Sequence, residues 1–239
     1  MSETQERWFT AEELEAMTRP TMDRAIDAID AGDLDAARGL CEAMKSEWRY
    51  LHDMLAEMIL ALITVVQEQL GEDAVPDAWG RYMERAWRRD AGVILELDRH
   101  QVVKLLAGSW RAHSTSGTGP QAGAFSIEED DEKFTFRMHP CGSGQRLVLM
   151  GKYDGEGAYG RTERAHDWSF HTRGRPLYCT HCTLMNELLP IRWYGLPLYP
   201  LDPPEDYHKD PCTWYWYKDP ADTPARFWER YGMDKPSPR

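Results

Sequence analysis

The sequence predicts an α+β protein in which an N-terminal helical bundle is followed by a small antiparallel-sheet domain with a Cys-rich metal site. Three observations carry that prediction. Apolar residues recur at spacings of three and four through the first 110 or so positions, the period of a helix face. The period then changes to two, as in half-buried strands. Four of the five cysteines fall in this second half. The expected organisation is a helical domain over residues 1–113, a linker or long loop over 114–121, and an α+β zinc-binding domain over 122–239.

Thr10-Ala11-Glu12-Glu13 reads as an N-cap followed by the acidic first turn that a helix dipole favours. Pro20 ends or restarts that helix. Residues 22–30 carry Ile26 and Ile29 on one side, and Ala31-Gly32-Asp33 breaks the chain before Leu34, the outline of an αα-hairpin. The clearest helix covers residues 36–70, where Leu40, Met44, Trp48, Leu51, Leu55, Met58, Ile59, Leu62, Val66 and Leu70 share a face and Gly71 is placed as C-cap. Pro76 opens a further helix with a basic face of Arg81, Arg85, Arg88 and Arg89, expected to be solvated and paired with nearby Glu. Residues 93–110 continue helically. The Gly-rich, small and polar residues 114–120 form the linker.

Beyond it, residues 125–127 and 134–138 alternate around an acidic tip at 128–132 and predict a hairpin. Residues 147–150 read as a strand. Residues 151–176, which include His166, His171, Arg173 and Arg175, form a long aperiodic stretch suited to a lid or binding loop. Residues 183–189 read as a helix ended by Pro190, and 191–195 and 196–199 as edge strands. Cys212 to Tyr217 has strong strand composition, with Cys212, Trp214 and Trp216 on one face. Thr223, Pro224 and Gly232 mark the ends of a last helix.

Lys and Arg number 28 against 40 Asp and Glu, a formal charge of −12. That balance argues against a nucleic-acid partner and against docking to an anionic membrane, since both need an excess of cations. The longest apolar run, residues 54–66, is interrupted by Glu57 and Thr64 and falls short of the roughly 18 residues of a membrane span. The N-terminus lacks a basic-then-apolar leader pattern, so a cytoplasmic location is expected. There, an odd number of cysteines is better read as thiols and ligands than as disulfides.

The chemistry centres on Cys179-Thr180-His181-Cys182, read together with Cys141 in His139-Pro140-Cys141-Gly142-Ser143-Gly144. Two thiolates two residues apart can grip one ion from a single turn. Cys212 completes an all-cysteine set, or His139, His181 or His208 joins three thiolates. Soft donors of this kind suit zinc. Four protein ligands would close the site as a structural staple; three would leave a position for water or substrate.

Around it, His52, His139, His181 and Glu187 are candidate proton carriers, and Arg146 is placed to clamp a carboxylate. The reading is a cytoplasmic zinc-dependent hydrolase or lyase acting on a small aromatic or carboxylate-bearing molecule, the long apolar helix face being compatible with a homodimer. Two alternatives stay open, a non-enzymatic zinc-stabilised binding or dimerisation protein and a C-x-x-C thiol oxidoreductase, as does a plain set of buried thiols.

Overall fold

In the computed structural model, which describes residues 8–114 and 123–237, the helical periodicity of the first half becomes α1 (Ala11–Thr18), α2 (Thr21–Asp30), α3 (Leu34–Leu70), α4 (Val75–Tyr82), α5 (Arg88–Glu96) and α6 (Arg99–Ser114). The chain divides inside α3 into two compact units, Met1–Leu51 and His52–Arg239. The expected linker lies, from residue 115 on, outside the described residues.

In the first unit, local rules act almost alone. The Thr10 hydroxyl accepts from the Glu13 N–H at 3.1 Å while the Glu13 carboxylate accepts from the Thr10 N–H at 2.7 Å, a capping box that satisfies two orphan donors. Gly32, with φ +76°, turns the chain between α2 and α3, and Asp33 caps α3 through the Ala36 N–H at 3.0 Å. Thr21 donates to Glu47 at 2.7 Å, which ties α2 to α3. Ala25 and Ala37 are the buried apolar residues of this unit; Leu14, Met17, Met22, Ile26, Ile29 and Leu34 are exposed. By length and composition α3 is apolar enough to cross a membrane, a property that core helices share.

The second unit holds the sheet and the main cores. β1 (Ala124–Glu129) and β2 (Lys133–His139) form the expected hairpin, and β3 (Leu201–Asp202) and β4 (Cys212–Tyr217) complete an antiparallel sheet of order β1-β2-β4-β3. Phe134, Phe136 and Met138 pair with Trp216, Trp214 and Cys212, so period-two alternation places all six on one face. That face packs on α6, where Trp110 meets Phe136 at 4.2 Å and Trp214 at 5.5 Å between ring centroids. Helices from before residue 114 and elements from after 122 share both large cores. One joins Leu60, Ile63, Trp79 and Met83 to Leu147, Leu177 and Leu188; the other joins Ala91, Val102 and Trp110 to the sheet.

Two segments read as strands are helical. Residues 147–150 fall in α7 (Gly144–Leu149), whose Leu147 and Val148 are both buried; a four-residue apolar run does not tell a buried strand from a buried helix. Residues 191–194 belong to α9 (Leu189–Tyr194). It follows α8 (Thr180–Thr183) and a wide turn, Leu184–Leu188, in which the Leu189 N–H reaches the Leu184 carbonyl, so Pro190 sits at the start of α9 instead of ending a helix. The last helix is shorter than expected: α10 spans Arg226–Glu229, and Gly232, φ +66°, follows it. Residues 151–176 have, as expected, little regular structure beyond a short turn at Asp167–Ser169.

Glu187, at 0% exposure, fastens the wide turn. It accepts from the Leu201 N–H at 2.8 Å and the Tyr231 hydroxyl at 2.6 Å, and Arg230 stands 3.4 Å away. Burial pushes its carboxyl up to about 7, against the pull of Arg230 and Tyr231. From its ordinary value of 4.5 up to about 7, the folded chain holds a proton that the unfolded chain has lost. Glu187 therefore contributes its full stability below that ordinary value and loses it as pH rises through the folded value. Relative to Glu187→Gln, the wild type should lose on the order of 3 kcal/mol between those limits. Urea denaturation of both proteins across that range measures this, and parallel profiles would refute it.

Candidate functional site

Three separate segments bring sulfur to one cavity. After β2 the chain turns through Cys141 into α7, and the backbone N–H groups of Ser143, Gly144 and Gln145 are turned on the Cys141 sulfur. The Cys141 N–H donates to Gln145 Oε1 at 3.0 Å, and the Gln145 amide donates to the carbonyls of Tyr207 and Asp210, each at 2.8 Å. One buried glutamine thus pins the turn to the loop before β4. Cys179 ends the turn Leu177–Cys179, and Cys182 lies in α8. Between them Thr180, at 0% exposure, donates to the Leu177 carbonyl at 2.7 Å and accepts from the Trp79 indole at 3.1 Å. Cys212 opens β4 opposite Met138.

All four cysteines line one cavity of about 390 Å³, and so do Ser143, Arg175, His181 and Asn186. Most of the remaining wall is hydrocarbon or aromatic, including Trp110, Met138, Phe170, Tyr199 and Trp214. Gly144 is required for the packing. A Cβ built there would stand 2.5 Å from the Cys179 sulfur and 3.3 Å from the Tyr178 ring.

Burial sets the electrostatics. It pushes the Cys179 thiol up to about 12; a charge on Cys141 would add to that rise, while Arg175 and the Tyr207 hydroxyl oppose it. Burial also raises Cys141, and it carries Cys182 and Cys212 well above the ordinary thiol value, with neighbouring sulfurs adding to the rise at these two. The His181 Nδ1 lies 2.5 Å from the Tyr178 carbonyl. A carbonyl only accepts, so Nδ1 carries the proton and Nε2 keeps its lone pair, 3.4 Å from the Cys182 sulfur. Burial lowers the pKa of this ring and favours its neutral form. Its arrangement is that of a histidine whose free nitrogen is ready to bind or accept.

The other candidates lie elsewhere. His52 is outside the cavity wall but reaches it through Ser143, whose Oγ is 2.8 Å from His52 Nε2, and Asp53 stands 3.3 Å from His52 Nδ1. Arg146 does not face the cavity; it is a buried, bidentate partner of Asp53, at 3.0 and 2.8 Å. Glu187 is behind the wall on Arg230 and Tyr231. His139 is exposed at the end of β2, bonded to Ser126 at 3.1 Å, and His208 is exposed in the loop before β4.

Arg175, Ser143 and Tyr207 are cavity residues that the spacing of motifs did not single out. Only the position of Ser143 beside Cys141 carried a signal in the sequence. Among the described residues, no group of three or more His, Cys, Asp or Glu side chains is disposed to hold a metal ion. No family model matches the chain, and neither a curated protein nor a solved structure matches it.

Gly144→Ala should push α7 away from Cys179 and cost about 1–3 kcal/mol, as overpacking does. Urea denaturation reads the loss, and faster labelling of Cys179 by a thiol reagent reads the opened contact. Unchanged stability and labelling would show that the approach is not confining.

Proposed function

We propose that the cavity is the site of a zinc-dependent enzyme of the cytoplasm, a hydrolase or lyase acting on a small organic molecule. The observation that carries this reading is the convergence of Cys141, Cys179, Cys182 and Cys212 on one cavity together with a neutral imidazole. Four thiols and His181 form a donor set that fits a soft cation. Three backbone N–H groups at Cys141 and the Tyr207 hydroxyl at Cys179 supply the outer hydrogen bonds that thiolate ligands use. Cys141, Cys179 and Cys182 would hold the ion, with Cys212 or His181 as the further ligand.

When bound, zinc supplies a Lewis acid that polarises a carbonyl or lowers the pKa of water. The mostly apolar walls lower the local polarity and would strengthen charge interactions within the cavity. Ser143 lines the cavity and its hydroxyl bonds His52 Nε2, so it would link the cavity to that imidazole for proton transfer. Asp53, itself held by Arg146, keeps the His52 ring in place.

A second reading is a ligand-binding pocket whose thiols stay protonated. Burial that raises all four thiols favours it, as does the lack, among the described residues, of side chains already disposed around a metal position.

Metal analysis of protein purified without added metal separates the two. The expected result is about one zinc per chain, lost in Cys141→Ser, Cys179→Ser and Cys182→Ser. Retention in Cys212→Ser identifies an open site with three cysteine ligands, whereas loss in all four variants with unfolding identifies a closed structural one. A wild type without metal overturns the first reading and leaves the second.

A further inference from the structure

Arg175 is a buried guanidinium, 5% exposed. Nη1 donates to the Tyr207 hydroxyl at 2.8 Å and Nη2 to Thr172 Oγ1 at 3.4 Å, while Nε has no partner. Three of the neighbouring arginines have carboxylates: Arg161 has Asp154 at 3.9 Å, Arg226 has Asp202 at 2.7 Å and Arg230 has Glu187 at 3.4 Å. Arg175 has none within ion-pair distance among the described residues; the aromatic rings of Phe170 and Tyr207 lie 5.3 and 5.8 Å from it. Buried charges are ordinarily paired, because desolvation is otherwise uncompensated.

The same walls hold a further buried polar atom without a partner, Asn186 Oδ1. On the other side of Arg175 runs a second cleft, lined by Arg161, His171, Arg173, Arg226 and Arg230 against the acids Asp202 and Glu205. It shares Phe170, Arg175, Pro203, Pro204 and Tyr207 with the cavity. In a chain of formal charge −12, this is a local concentration of cations at the edge of an apolar chamber. Such a focus raises the local concentration of anions.

We propose that the cavity takes a small organic carboxylate, its anionic group held by Arg175 and its hydrophobic, ring-sized body lodged among Trp110, Tyr199 and Trp214. This rests on the cavity being a ligand site and names the class of ligand; it does not require the metal. The volume suits it, since small-molecule sites begin at about 300 Å³. A guanidinium meets a carboxylate with two parallel hydrogen bonds, and an amide of the same shape does not reproduce the charge-assisted pair. The cleft offers the cationic approach by which such an anion reaches Arg175.

The test is calorimetric binding of phenylacetate and phenylacetamide to the full-length wild type, Arg175→Gln and Arg175→Lys, with metal content measured on each sample. The expected result is a preference of about tenfold or more for phenylacetate in the wild type, abolished in Arg175→Gln with the amide changed less than about twofold. Arg175→Lys keeps a point charge but not the fork, and should retain a reduced preference; it serves if the Gln variant does not fold. Equal affinity of the two probes for the wild type, or a preference that survives in Arg175→Gln, overturns the proposal. Cys182→Ser, lacking metal, should keep the preference. Its disappearance there in a variant that circular dichroism shows to be folded would mean that the metal holds the carboxylate, which also overturns the assignment to Arg175; if Cys182→Ser does not fold, the wild type and Arg175→Gln decide. A wild type without metal that still prefers phenylacetate would refute the zinc reading and leave this one standing.

Discussion

Four sulfur atoms and one guanidinium share a chamber whose other walls are mostly hydrocarbon, and that shortage of solvent governs what each group can be. Any thiol there that ionises without a cation gives up its hydration and raises the cost for the next. Arg175 offsets part of this at Cys179 and the N–H groups around Cys141 offset part of it there, but burial prevails at both sulfurs. A divalent ion would turn mutual repulsion among thiolates into shared attraction. An organic anion would instead compete with the sulfurs for Arg175.

One side of α3 holds this arrangement in register. Along successive turns Asp53 takes Arg146, Glu57 takes Lys152 at 2.7 Å and Tyr159 at 3.0 Å, Thr64 accepts from the Gly160 N–H at 3.1 Å, and Gln67 donates to the Arg161 carbonyl at 2.9 Å. Lys152 and Tyr159 help to keep the Glu57 carboxyl below its ordinary range despite partial burial. These bonds fasten residues 146–161 to a rigid rod. The turn that presents Cys141 is thus set from the helical side, as much as from the sheet.

What the sequence reveals follows from the range of the interaction involved. The capping box at Thr10, the long helix ending before Gly71 and the alternation in β2 and β4 are local patterns, and each could be read directly. The four cysteines could be singled out because thiol chemistry is the same wherever the residues lie, and they do line one cavity, but among the described residues no group of three or more His, Cys, Asp or Glu is disposed to hold a metal ion. The helical character of residues 147–149 and 191–194 was not, because short apolar stretches take their conformation from the core that receives them. Arg146 and Glu187 have the residue types of a catalytic site but are committed to Asp53 and Arg230, partners distant in sequence. Arg175 was hidden for the converse reason: in a loop with Arg161, Arg164 and Arg173, nothing but burial distinguishes it.

The pairing of Cys212 with Met138 has a kinetic corollary. Side chains alternate across a strand, so a slip of one residue between β2 and β4 would present Thr213 to the chamber and turn the sulfur to the opposite face. Cys141 and Cys212 are joined through this non-local pairing and through Gln145, whereas Cys179 and Cys182 meet within a single turn of chain. During folding the close pair is available first, and the remaining thiols arrive when the sheet closes in its native register. The zipping of β2 onto β4 therefore acts as the proofreading step that decides which face of the strand the Cys212 sulfur reaches.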